Sequence, residues 1–230
     1  MCREIVGLLL RVGVSVLLLN VARQDVGAQS LTADDRKLIQ AQATMAVAEE
    51  LYDHGDYDKA IEQWREAIKL DPGLAKAHYS LGIALRGKNQ LTEALVELRE
   101  AVRLDPRNAA AFADLGDTLQ ENGDLDGALS AYHSSLALVP NSALVRNNLG
   151  YVLVRKQNLD GAIAEWHEAT RIDPKYPAPF GNLGEALATK GDTKGAIIAY
   201  ERFLELVPTD APASAEVRQR LDKLKNGAKP

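Results

Sequence analysis

Apolar residues recur three or four positions apart over most of this chain, in short blocks separated by Gly, Asn, Asp and Pro. That spacing gathers them on one face of a helix, and no window shows the strict alternation of a half-buried strand. The blocks themselves repeat. Pro72, Pro106, Pro140, Pro174 and Pro208 stand 34 residues apart, a period that marks one supersecondary unit stacked several times. Laid out in that period, residues 41–74, 75–108, 109–142, 143–176 and 177–210 each predict two antiparallel helices.

The columns of this layout say how the helices meet. In the first helix of each unit, Val47, Leu81, Leu115, Leu149, Leu183 and then Leu51, Leu85, Leu119, Leu153, Leu187 form an apolar stripe. Ala48, Gly82, Gly116, Gly150 and Gly184 keep a small residue beside it, while the second helix carries Ala60, Ala94, Ala128, Ala162 and Ala196. A bulky column, Trp64, Leu98, Tyr132, Trp166 and Tyr200, completes the pattern of large against small that close-packed helix pairs require. Gly55, Gly123 and Gly191, with Asn89 and Gln157, fall where the first helix needs a left-handed cap. Asp56, Asp124, Asn158 and Asp192 follow as expected N-caps of the second helix, Gln90 being the weak member. The prolines then stop that helix. Ala67, Ala101, Ser135 and Ala169 are joined by a discordant Phe203, which predicts looser or altered packing near the C-terminal end.

The segment YSLGIALRGKNQLTEALVELREAVRLDP (79–106), with its LG pair, its alanines Ala94 and Ala101 and its closing Pro106, resembles the tetratricopeptide repeat family, and the likeness covers residues 41–210. The resemblance implies an all-α fold, a right-handed α-solenoid of antiparallel helix pairs whose first helices line a concave groove. Outside the repeats, Thr32 and Asp35 have the spacing to open a helix at about Ala33, so residues 29–40 are expected as an N-terminal helical extension. Val217, Leu221 and Leu224 give residues 211–225 one apolar face and a polar remainder, the pattern of a capping helix, with 226–230 a tail.

Composition adds exclusions. A net charge of −5 argues against nucleic acid as partner. Residues 1–28 read as a signal peptide: Arg3, an apolar run from Ile5 to Ala22, then Val26-Gly27-Ala28 before Gln29. Cleavage there would make an exported, periplasmic or extracellular protein without its one cysteine, Cys2. The alternative is retention of residues 5–22 as a membrane anchor, against which Arg11 in the middle of the run counts.

No reaction chemistry is legible. His54, His78, His133 and His167 are scattered, no HExxH, CxxC, GxSxG or phosphate-binding loop occurs, and no cofactor or metal is expected. By the resemblance, the groove is the expected binding surface for a protein or peptide partner, and its candidate residues are Tyr52, Lys76, Tyr79, Arg86, Asp114, Asp117, Asn147, Asn148, Tyr151, Arg155, Asn182 and Glu185. They fall in alternating acidic and basic bands, with tyrosines as amphipathic anchors. The lysine–asparagine carboxylate clamp of co-chaperone members is missing. The asparagine ladder of the peptide N-acetylglucosaminyl transferase superhelix is present only at Asn148 and Asn182, leaving a weak alternative as an accessory subunit of such a system. The expectation is a non-catalytic scaffold or adaptor of the cell envelope, with self-association through an end of the solenoid as a further option.

Overall fold

The computed structural model describes residues 32–227, so the signal-peptide and anchor expectations lie outside the described residues. Among those residues there are eleven helices and no strand. They fall into two compact units dividing after Pro106, each taken by itself. The first unit holds α1 (Ala33–Asp53), α2 (Tyr57–Leu70), α3 (Ala75–Gly87) and α4 (Leu91–Leu104). The second holds α5 (Ala109–Glu121), α6 (Leu125–Leu138), α7 (Ala143–Arg155), α8 (Leu159–Ile172), α9 (Pro177–Thr189), α10 (Thr193–Leu206) and α11 (Pro212–Lys225). Within each unit every helix packs on the next, giving helix pairs stacked in the manner of a solenoid.

Local chemistry sets the boundaries. Thr32 and Asp35 exchange a capping box that opens α1. The first helix of each pair ends in a residue with positive φ: Gly55, Gly123 and Gly191, and also the non-glycines Asn89 (60°) and Gln157 (61°). At Gln157 the strained conformation is held by bonds from its own amide to Val154 O and from Asn158 to Leu153 O. Asp124, Asn158 and Asp192 then accept from the amides of Gly127, Gly161 and Gly195. Asp56 corrects the expectation, because it caps nothing. Where the working caps face a glycine, Asp56 faces Lys59. A Cβ on Gly127 would lie 2.6 Å from the Asp124 carboxylate, so only glycine lets the cap close at this position. Asp56 instead accepts from the Lys59 ammonium at 3.3 Å.

The core follows the columns. A Cβ on Gly82 would meet Leu98 at 2.7 Å, on Gly116 would meet Tyr132 at 2.6 Å and on Gly150 would meet Trp166 at 2.5 Å. The bulky residue of the second helix therefore lies flat on the backbone of the first. Of looser or altered packing at Phe203, the structure has the second: the ring is buried against Gly181, which supplies the room it needs. Beyond it α11 lays Leu221 and Leu224 on Ala188, Ala196 and Tyr200.

Candidate functional site

The first helix of each pair carries the residues expected to bind. In the first unit, α1 and α3 enclose an open depression of about 300 Å³ lined by Glu49, Tyr52, Asp53, Trp64, Lys76, Tyr79, Ser80 and Ile83. Lys76 spans it, its ammonium 2.6 Å from the Glu49 carboxylate. Tyr52 forms the aromatic floor, its ring 5.5 Å from Trp64 and 5.0 Å from Tyr57. Arg86, expected with this group, lies outside the depression, further along α3.

The Trp64 indole nitrogen is buried and has no hydrogen-bond partner. Its counterpart Trp166 donates to the Asn147 carbonyl at 3.0 Å. The difference has a local cause. The column that is Gly150 opposite Trp166 is Ala48 opposite Trp64, and a methyl there would fall on the indole nitrogen of a ring seated as Trp166 is. Ala48 thus holds Trp64 away from the helix carbonyl that would receive its proton.

In the second unit the predicted polar residues form one connected row. Asn182 donates to Asn147 (2.9 Å), Asn147 to Asn148 (3.2 Å), and Asn148 to the Asp117 carboxylate (2.9 Å), which also accepts the Tyr132 hydroxyl at 2.6 Å. Every amide in the row donates toward Asp117, so the carboxylate orients the whole chain. Burial, together with the negative charge of Asp117, holds the Tyr176 phenol above its ordinary pKa. Arg155 reaches back to the Gln120 carbonyl at 3.2 Å. Glu185 is engaged by Arg220 of the capping helix at 2.7 Å. Asp114 lies on α5 one turn before Asp117, and Tyr151 stands exposed on α7.

Two further features went unread in the sequence. His78 is buried, with Nδ1 2.6 Å from Glu97 and Nε2 3.2 Å from the Pro72 carbonyl. Arg146, two repeats on, makes the same pair of contacts with Glu165 (2.7 Å) and the Pro140 carbonyl. Burial alone would disfavour the imidazolium, but Glu97, the Pro72 carbonyl and the charge of Glu100 outweigh it and raise the His78 pKa. The signal was a pair of columns: His78 with Glu97 and Arg146 with Glu165, against Phe112 with Ala131 and Phe180 with Ala199. Lys88 with Asp58, Lys156 with Asp126 and Lys190 with Asp160 form a second recurring pair, linking each turn to the helix before it. Among the described residues no cluster of His, Cys, Asp or Glu is placed to hold a metal. None of their helices is long and apolar enough to cross a membrane.

Stacked helix pairs, in which a bulky residue of each second helix lies on a small residue of the first, define a helical-repeat protein. Family models agree: a TPR repeat model matches residues 48–86 and 84–123, and tetratricopeptide repeat models match 113–177 and 179–210. The chain belongs to the tetratricopeptide repeat family. A comparison with curated proteins gives no match. Among solved structures, MamA from Desulfovibrio magneticus RS-1 is 21% identical, with 72% of this chain and 94% of that one covered and a TM-score of 0.68. YrrB, described as a tetratricopeptide repeat protein with an unusual peptide-binding site, is 22% identical over 82% of this chain and 98% of its own, with a TM-score of 0.68. Pseudomonas aeruginosa PilF is 20% identical over 86% and 93%, with a TM-score of 0.67. At these identities the likeness is one of fold.

Proposed function

We propose that this chain is a non-catalytic interaction scaffold that holds a segment of a partner protein on the first helices of its repeats. The observation that carries the reading is the depression between α1 and α3, an open surface with an aromatic floor and a charged wall, in a fold whose other apolar columns are filled. Such a surface combines tyrosine anchors with a polar rim, the composition of recognition sites. Membership of a family of interaction modules supports it, and so does the peptide-binding site for which YrrB is described. The partner is bound after export to the cell envelope, following removal of residues 1–28.

Two measurements test this. Affinity capture with the wild-type chain and with a Tyr79→Ser/Tyr151→Ser double variant should give a partner that the variant loses; identical capture by both would count against inner-face binding. The mass of the mature protein should correspond to a start at Gln29, whereas an intact Met1 would replace export by anchoring through residues 5–22.

A further inference from the structure

We propose that the depression between α1 and α3 takes a glutamine side chain of the partner, its carboxamide seated between the Trp64 indole and the Glu49 carboxylate. This rests on the scaffold reading and names the ligand chemistry of its first unit. Equivalent places in the two units differ. Between α5 and α7 the carboxamide of Asn148 closes the seam, donating to the Asp117 carboxylate at 2.9 Å and accepting from Asn147 at 3.2 Å. In the first unit the same columns hold Ser80 for Asn148 and Glu49 for Asp117. The carboxylate is kept, but Ser80 carries no amide, and both residues line the open depression of about 300 Å³.

The same space holds a donor with nothing to receive its proton. Tyr132, in the Trp64 column, turns its hydroxyl to Asp117 and Gln120, the counterparts of Glu49 and Tyr52. Trp64 lines the depression with those two residues, is 2% exposed, and its indole N–H has no acceptor. An unpaired buried donor is destabilising, and a ligand oxygen that accepts from it recovers that loss on binding. An N–H beside a carboxylate calls for a ligand group that accepts at one end and donates at the other. A carboxamide does both. A ligand carboxylate would set its charge against Glu49 and Asp53, an ammonium brings no acceptor for the indole, and a thioether leaves both groups unmet. Lys76 does not use up the site. Its ammonium pairs with Glu49 at 2.6 Å, but a carboxylate has about four lone-pair sites, and Asp117 accepts from Asn148 and Tyr132 together. Asn148 reaches its seam from α7 itself, whereas the ligand enters from solvent. The longer glutamine spans that distance, with its methylenes against Tyr52 and Ile83.

The test uses the whole chain and three probes, the N-acetyl methylamides of Gln, Glu and Met, titrated while the two indole N–H resonances are followed. The Gln probe should bind saturably in the millimolar range, about ten-fold more tightly than the other two. It should move the Trp64 resonance downfield and leave that of Trp166, already bonded to the Asn147 carbonyl. Ser80→Asn, which supplies the seam with an amide of its own, and Ala48→Gly, which gives the indole the Met45 carbonyl, should each weaken the Gln probe about five-fold, with circular dichroism reporting an unchanged fold. Equal binding of all three probes would assign the site to the main chain they share. That result, no saturable binding of the Gln probe, or a Trp64 resonance that stays in place would each overturn the inference. If partner capture still fell with Tyr79→Ser, the scaffold reading would survive and only the glutamine site would be lost. If capture were unchanged by Tyr79→Ser/Tyr151→Ser, the scaffold reading itself would fail.

Discussion

Gly150→Ala isolates what the small column does. Helix propensity favours alanine by about 1 kcal/mol at a mid-helix position. Against that, the new Cβ would lie 2.5 Å from the Trp166 indole nitrogen and 2.7 Å from Cε2, inside any contact distance, and Trp166 is almost wholly buried. The ring must move out, which for an overpacked core costs about 1–3 kcal/mol. Moving it also breaks the indole bond to the Asn147 carbonyl, and a buried donor left unpaired costs about another 1–3 kcal/mol. The balance is a destabilisation of about 3 kcal/mol, or a fall in Tm of roughly 9 °C for a chain of this size. Urea unfolding gives the energy. The two tryptophans give an independent readout, since each contributes one indole N–H resonance: that of Trp166 should move upfield to resemble Trp64, which Ala48 already holds off its helix, and that of Trp64 should stay. A Gly150→Ala protein as stable as the parent, with its Trp166 resonance unmoved, would refute the account of both residues.

Ala48→Gly should do the reverse, shifting the Trp64 indole resonance downfield as the ring gains the Met45 carbonyl, with stability changed by less than about 1 kcal/mol because the new bond offsets the lost propensity. His78 carries a pH dependence. Its folded pKa is raised above 6.5, so the clamp contributes fully below that value and is lost as pH rises through the folded pKa; His78→Arg, copying Arg146, should remove this part of the pH dependence of unfolding. Asp117→Asn should lower the Tyr176 phenol pKa, read by NMR titration, because it removes the negative charge that helps raise it. Asp117→Ala should cost about 2 kcal/mol for the charged acceptor lost to Asn148 and Tyr132. Lys190→Met should change urea stability by less than about 1 kcal/mol, since its pair with Asp160 is solvent-exposed.

The fold was legible because each structural requirement recurs with the period. Five prolines, five small residues and five bulky ones at fixed offsets restate one packing solution, and chance does not place Gly116 opposite Tyr132 and Gly184 opposite Tyr200 in the same register. The sequence misled, or stopped short, where a residue was read without its partner. Asp56 looks like Asp124, yet the cap depends on the glycine three positions on. Phe203 announces a changed packing, yet only Gly181 says that the change is a fit and not a loosening. The candidate binding residues were legible as positions on the first helices, but their hydrogen bonding was not. Nothing in the sequence of Asn147 or Asn182 says that their amides are turned toward Asp117, because that orientation is set by a carboxylate 30 or more residues away.

The pairing of columns also explains why the repeats can differ without unfolding. Helices α3 and α4 are joined through His78 and Glu97, and α7 and α8 through Arg146 and Glu165. At the same two places α5 and α6 carry Phe112 and Ala131, and α9 and α10 carry Phe180 and Ala199. Each solution is complete in itself: a cation with its carboxylate and a proline carbonyl, or an aromatic ring with a small neighbour. A mixture is not. Putting Phe at 146 would leave Glu165 three-quarters buried without its guanidinium, and putting Ala at 165 would leave Arg146 its carbonyl and the charge of Glu168 but no carboxylate in direct contact. Arg146→Phe and Glu165→Ala should therefore each destabilise the second unit, while the double variant, which reproduces the pairing of its neighbours, should recover most of the loss. A double-mutant cycle measures this directly, and additive losses would show that the two columns are independent.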